Sequence, residues 1–339
     1  MSDLIQKETA GHTPGGFGLN RIIAIILIFV VAYGGYRYFY KKPTAQDSPV
    51  VNSPQKTNPL PRVDLIASNH LPVQKTKSAA KKNDPGPRLL VPVGHLSIEM
   101  IRVDHSRFIL GKRDNESGGT DREYPVILKE NYYIGKFEIT QAQYAAVMGE
   151  NPSAVKNPVF PVDRVSWREA MEFCRKLNQK GCAPAGWMFS LPTEAQWEFA
   201  ARGGIFSQGF KYSGSNKLDE VGWYDGNSNG GCHPVGGKKA NELGLHDMSG
   251  NVSEYCLDDF HIDRTGISHE FIREDLQSSA ERVVRGGSSD FESFHCRMAA
   301  RNYALPDEKR LSQGFRVVLV KIKEKKRSPL NGELRRSYN

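Results

Sequence analysis

Cysteine is scarce in this chain: five residues in 339, with no C-x-x-C pair among them. That excludes a disulfide-built scaffold, a thiolate zinc knuckle and a thioredoxin-type redox pair, and an odd count leaves at least one thiol unpaired. No Walker loop and no GxGxxG phosphate loop is present, and the GG pairs at 203, 230, 236 and 286 stand where turns or helix ends explain them. The nine histidines are scattered, none paired three or four residues apart on a helical segment, so no facial iron triad assembles locally. No repeat of fixed period runs through the chain.

What is present in excess is positive charge, +8 overall, but its position decides its meaning. Residues 1–95 carry 12 Lys and Arg against 5 acids, residues 321–339 carry 7 against 2, and residues 96–320 carry 27 against 31. The body is therefore mildly acidic. A nucleic-acid site needs its cations gathered on the folded face that meets phosphates, so nucleic acid is excluded as a partner.

The segments differ sharply. A flank, residues 1–20, precedes IIAIILIFVVAYGGY, which holds no charge from Ile22 to Tyr36. A bilayer core takes about 20 apolar residues as helix, and residues 21–40 meet this if Arg37 snorkels and the Tyr cluster sits at the headgroups. One transmembrane helix is expected, with a cleaved signal peptide as the rival reading. Residues 41–95 hold nine of the 19 prolines and no aromatic residue after Lys42, which predicts an extended linker. The basic tail, residues 321–339, is expected to stay disordered.

Residues 96–320 are dense in Gly and aromatics and long enough for one large core. Alternation predicts strands at 98–103, 125–129, 132–137 and 315–319. Ser166 with Glu169 forms a capping box ahead of a stripe of Ala170, Phe173, Cys174 and Leu177. Thr193 with Gln196 repeats the device before Trp197, Ala200 and Ala201, and Gly203 closes that helix. A third helix follows Thr140 and stops at Gly149. Few helices, short strands and long Gly-rich loops predict an α+β domain.

Six ordered blocks carry a family resemblance: FEITQAQY at 137–144, PVDRVSW at 161–167, SLPTEAQWEFAARGG at 190–204, GLHDMSGNVSEY at 244–255, RVVRGGS at 282–288 and QGFRVV at 313–318. Together they resemble the formylglycine-generating enzyme, or sulfatase-modifying factor, family. The resemblance implies a low-regularity C-type lectin-like fold and, in active members, a copper oxidase that converts a sulfatase cysteine to formylglycine. Such members hold copper(I) with two thiolates after the GGS block, soft ligands suited to that ion. Here those places are Phe291 and Cys296, so only one thiol remains and copper is not expected. Cys296 is the residue that would react if any chemistry survives. Otherwise it is a buried apolar group or a disulfide partner of Cys256, and pairing among Cys174, Cys182, Cys232, Cys256 and Cys296 stays open.

The same resemblance implies a calcium site at Asp247, Gly250, Val252 and Glu254, two carboxylates bracketing a tight Gly turn with carbonyls between them. The rival reading is a turn whose acids face water. In the usual GNVWEW block this chain has Ser253 and Tyr255 in place of two tryptophans. Three functions follow as expectations. One is a membrane-anchored, non-catalytic binding or assembly module for a protein or envelope polymer; another is an oxidase acting on a protein cysteine by variant chemistry. A calcium-dependent lectin ranks last, since no sugar-coordinating triplet appears. The charge flanking the apolar segment barely decides orientation. The proline-rich spacer favours a single-pass inner (plasma) membrane protein whose body is extracytoplasmic, in the periplasm.

Overall fold

The computed structural model describes residues 86–111, 123–262 and 279–322. The expected membrane segment at 21–40, its flank, the linker up to residue 85 and the tail beyond residue 322 lie outside them. Among the described residues no helix is long and apolar enough to cross a membrane.

Strands β1 (Arg88–Val93), β2 (Leu96–Val103), β5 (Tyr132–Gly135), β11 (Val318–Lys321) and β6 (Trp187–Ser190) form a five-stranded sheet in the order β1-β2-β5-β11-β6. A second sheet runs β10-β7-β8-β9, from Gln313–Gly314, Ser253–Asp259, Arg282–Arg285 and Arg301–Ala304. Strands β3 (Arg107–Leu110) and β4 (Tyr124–Ile127) make a separate ribbon. Strand β1 corrects the sequence reading, which left residues 88–93 in the linker. The surrounding prolines mask the alternation of Leu89, Val91 and Val93, yet an edge strand tolerates Pro92. The strand expected at 315–319 starts only at Val318, because residues 315–317 cross from the second sheet to the first with Phe315, Arg316 and Val317 fully buried.

Three helices begin as the sequence predicts. Thr140, Ser166 and Thr193 each accept a hydrogen bond from the third residue onward, whose side chain bonds back, starting α1 (Gln141–Met148), α2 (Trp167–Gln179) and α3 (Glu194–Ala201). A single turn, α4, spans Leu218–Val221. Helices α1 and α2 cover one face of the first sheet, where Tyr144 stacks on Phe173 at 5.8 Å and Phe173 meets Phe315 edge-on at 5.3 Å. Helix α3 is different. Instead of one buried stripe, all eight of its residues are buried.

Such a helix must satisfy its own charged side chains inside the protein. Glu198 Oε1 accepts from the Gly111 amide at 2.9 Å and from Arg202 Nε at 2.8 Å, while Oε2 accepts from Arg285. Arg285 also donates to the carbonyls of Met298 at 2.7 Å and Ala300 at 2.8 Å. One turn earlier, Glu194 takes Arg301 through two nitrogens at 2.5 and 2.9 Å. The helix thus fixes residue 111, strand β8 and the loop before β9. Strand β9 is an edge: Asn302 Oδ1 accepts from the Tyr303 amide at 2.8 Å, and Arg310 donates to the Tyr303 carbonyl at 3.1 Å.

Replacing Glu198 by Ala would leave Arg202 and Arg285 buried without their carboxylate. Glu198→Ala should therefore lower unfolding free energy by about 3–5 kcal/mol in urea titrations, whereas the paired Glu198→Leu/Arg285→Met change costs less than the single one. A loss below about 1 kcal/mol would show that water reaches these guanidinium groups.

Candidate functional site

The GLHDMSGNVSEY block folds as a buried turn running into β7. Asp247 and Asn251 adopt left-handed backbone (φ 58° and 64°), and Gly250 lies at φ 92° where a Cβ would collide with the Trp223 carbonyl. Two bonds tie the turn to the GGS block: the Gly250 amide donates to the Gly286 carbonyl and the Ser289 amide to the Asn251 carbonyl, each at 2.9 Å. All four predicted metal-site residues fall on this turn and are buried.

Their chemistry divides. Glu254 is fully engaged, since Arg316 donates to both its oxygens at 2.7–2.9 Å and Trp197 Nε1 adds a third donor at 2.8 Å. Asp247 Oδ2 accepts from the Gly236 amide at 2.6 Å, while its Oδ1 is buried and has no partner. A third acid, missed in the sequence, joins them: Glu138 accepts from Asn251 Nδ2 at 2.7 Å and the Val252 amide at 2.9 Å. Burial, with repulsion from Asp247 and Glu254, pushes the Glu138 carboxyl well above the usual range. Burial likewise pushes Asp247 up to about 6, against the pull of the Gly236 amide and Arg316. Glu138 and Arg316 sit in FEITQAQY and QGFRVV, so a signal existed, but only the fold brings them to the turn. Among the described residues no group of three or more His, Cys, Asp or Glu side chains is gathered as a metal centre, and Glu254 is already held by Arg316.

Beside the turn lies a cleft lined in part by Ser253, Gly286, Gly287, Phe291, His295 and Asn302. Phe291 forms part of its wall, whereas Cys296 is fully buried among Tyr212, Leu218 and Val221. Burial raises the Cys296 thiol to about 12, the opposite of what a reactive or metal-binding sulfur needs. All five cysteines are free thiols, and Cys256 lies in a different cluster, beneath α3. One buried protonated thiol, with phenylalanine at the second position, does not fit copper(I), and no step is drawn through that metal.

Comparison with known proteins places these features. The family described as the sulfatase-modifying factor enzyme 1-like domain matches residues 92–321. The chaperone protein LppX of Paenibacillus barcinonensis is 38% identical over 207 residues, covering 48% of this chain and 71% of LppX. The formylglycine-generating enzyme of Thermomonospora curvata is 31% identical over 195 residues, and the inactive Cα-formylglycine-generating enzyme 2 of Bos taurus 29% over 172. The alignments cover 52% and 46% of this chain, and the chain spans less than two thirds of each of those two relatives, 60% and 49%. Among solved structures, Treponema denticola variable protein 1 superposes with a TM-score of 0.60 at 29% identity, covering 68% of this chain and 98% of that one.

Asp247 titrates near 4 in an unfolded chain and at about 6 here. The folded state therefore holds the extra proton in that window, so without divalent cation stability should fall as pH rises from about 4 to about 6, by on the order of 2 kcal/mol. Asp247→Asn keeps the Gly236 bond and suits the left-handed backbone, so in chelator at pH 7 it should melt higher than wild type with a flatter pH response. Excess calcium should raise the wild-type melting temperature and leave the variant unchanged. A wild type indifferent to both pH and calcium would show that Asp247 ionises in the fold as it does in the unfolded chain and binds nothing.

Proposed function

Because this chain belongs to the sulfatase-modifying factor enzyme 1-like domain family, we propose that it is a membrane-anchored, non-catalytic member whose domain holds or assembles a protein or envelope-polymer partner. The observation that carries this reading is the pair at the cleft: Phe291 in its wall and Cys296 buried as a protonated thiol. Thiolate chemistry needs an accessible, acidic sulfur, and soft-metal chemistry needs a second one. Two relatives support the same direction by name, a chaperone protein and an inactive formylglycine-generating enzyme. The scaffold suits binding, since α3 and its buried ion pairs hold the loops around the cleft in one arrangement. Calcium, in this reading, is a structural ligand of the Asp247 turn and takes no part in turnover; the family's C-type lectin-like architecture is likewise read as a rigid frame.

Incubated with copper, oxygen and a CxPxR sulfatase peptide, the full chain should leave the cysteine unchanged by mass spectrometry. Appearance of formylglycine would overturn the non-catalytic reading in favour of variant oxidase chemistry.

Residues 21–40 are proposed as an inner-membrane anchor with the body on the extracytoplasmic side, supported by the uncharged run Ile22 to Tyr36 and the proline-rich spacer. Protease added to spheroplasts should remove the body and leave a membrane fragment of about 40 residues. Protection that persists until detergent is added would reverse the orientation.

A further inference from the structure

The outer strands of the two large sheets are treated in unlike ways. At β6 the register with β11 turns the Phe189 backbone outward, and the Asn178 side chain takes both of its groups. Asn178 Oδ1 accepts from the Phe189 amide at 2.7 Å and Nδ2 donates to the carbonyl at 2.9 Å. The nearby Trp187 amide donates to the Pro184 carbonyl at 3.0 Å. In the second sheet β10 is two buried residues, and β9 is interrupted at Tyr303 by Asn302 and Arg310. Such devices withhold a sheet edge from other chains. Strand β1 lacks them.

Which β1 groups face outward follows from one bond, the Arg102 amide to the Pro87 carbonyl at 3.0 Å. Bonded and unbonded positions alternate along an antiparallel pair, so residues 87, 89, 91 and 93 bond to β2, while Arg88, Leu90 and Pro92 turn their backbone outward. Among the described residues no hydrogen bond reaches these outward groups. Pro92 removes one donor from the edge and keeps its carbonyl. The side chains are unusual for an edge. Leu90 is 65% exposed, and Leu89 on the other face packs only partly against the core. A natural edge left open is ordinarily charged at such a place, and here the middle residue is leucine.

We propose that the domain pairs with a second copy of itself through this edge, the two β1 strands running antiparallel about a two-fold axis at Leu90. Leu90 then faces Leu90 of the second copy, and the two residues exchange both backbone bonds. Each Arg88 amide donates to the opposite Pro92 carbonyl, so the missing proline donor falls at the rim of the contact. Arg88 lies beside a proline, whereas a register that set arginine against arginine would oppose like charges. On the other face Leu89 comes beside Val91 of the second copy. The contact joins two five-stranded sheets into one. Because it is isologous it consumes both open edges and stops at two copies, leaving a β6 strand, already shut by Asn178, at each end. A foreign strand would satisfy the backbone as well but supplies neither the leucine opposite Leu90 nor the neutral residue opposite Arg88 as a matter of course. This inference goes beyond the binding function proposed above and does not depend on it.

The test uses the full chain in detergent, followed by sedimentation velocity over a concentration series. A contact this small should give a monomer–dimer equilibrium with Kd of about 10–100 µM. Leu90→Lys sets two cations on the axis and should weaken it at least about 10-fold, with the melting curve unchanged because the side chain is exposed. Ile109→Lys, an equivalent change on the separate β3–β4 ribbon, should leave the equilibrium as in wild type. A covalent trap reads the register independently. Paired residues on the axis stand about 5.5 Å apart between Cα atoms, within disulfide reach, so Leu90→Cys should form a disulfide-linked dimer under copper–phenanthroline oxidation. The two Arg88 positions lie about 14 Å apart in this register, so Arg88→Cys should cross-link no more than wild type, whose native thiols set the background. A chain monomeric at about 200 µM, a Leu90→Lys variant that dimerises as wild type does, loss of dimer in Ile109→Lys, or Arg88→Cys trapping as well as Leu90→Cys would each overturn the proposal.

Discussion

Glu198 joins three stretches of chain that are far apart in sequence, and much of the domain's geometry depends on it. Its two oxygens hold the Gly111 amide, Arg202 and Arg285. A second knot, Glu254 with Arg316, lies close by, and Trp197 touches both, donating its indole N–H to Glu254 while Arg285 sits 5.3 Å over its ring. A fold with short strands and long loops cannot satisfy its backbone in ladders, so guanidinium groups reach carbonyls that no strand covers. Arg285 does this for residues 298–300 and Arg316 for Gly135 and His246. Buried pairs of this kind add little net stability over an apolar core, but they penalise any arrangement in which a partner is missing, which specifies one loop conformation among many.

That division explains what could be read in advance. Capping boxes and the Phe173 stripe are local, so α1, α2 and α3 were visible in the sequence at Thr140, Ser166 and Thr193. Long-range pairing was not: Glu194 meets Arg301 across 107 positions, and nothing near either residue names the other. The same limit applied at the turn. The family resemblance singles out Asp247 and Glu254, while Glu138 and Arg316, which set the local charge, arrive from elsewhere in the sequence. Strand β1 is hidden for the opposite reason: its signal is local, but prolines at 85, 87 and 92 mask the alternation of Leu89, Val91 and Val93. The burial of Cys296 is likewise a tertiary fact, decided by Tyr212, Leu218 and Val221.

The acidic turn and the cleft share a backbone. Gly286, which lines the cleft, accepts a bond from Gly250 of the turn, and Ser289 beyond it donates to Asn251. Gly287 lies under the 3-10 turn at φ 68°, where a Cβ would stand 2.7 Å from the His295 carbonyl oxygen and 2.8 Å from Cys296 Sγ. The wall of the cleft is therefore only as fixed as the acid cluster beneath it. Gly287 therefore serves packing, since a side chain there would displace the 3-10 turn that carries His295 and Cys296.

Strand β9 bears on a hazard that any protein with an open sheet edge faces. An open sheet edge is a template, and a molecule that gathers other chains at high local concentration risks being extended by them strand by strand. At Tyr303, in the middle of β9, the amide is taken by Asn302 and the carbonyl by Arg310, so side chains interrupt the edge at that residue. Backbone pairing, which accepts any sequence, is thereby blocked at this position. An edge interrupted in its middle is a poor seed for strand-by-strand growth.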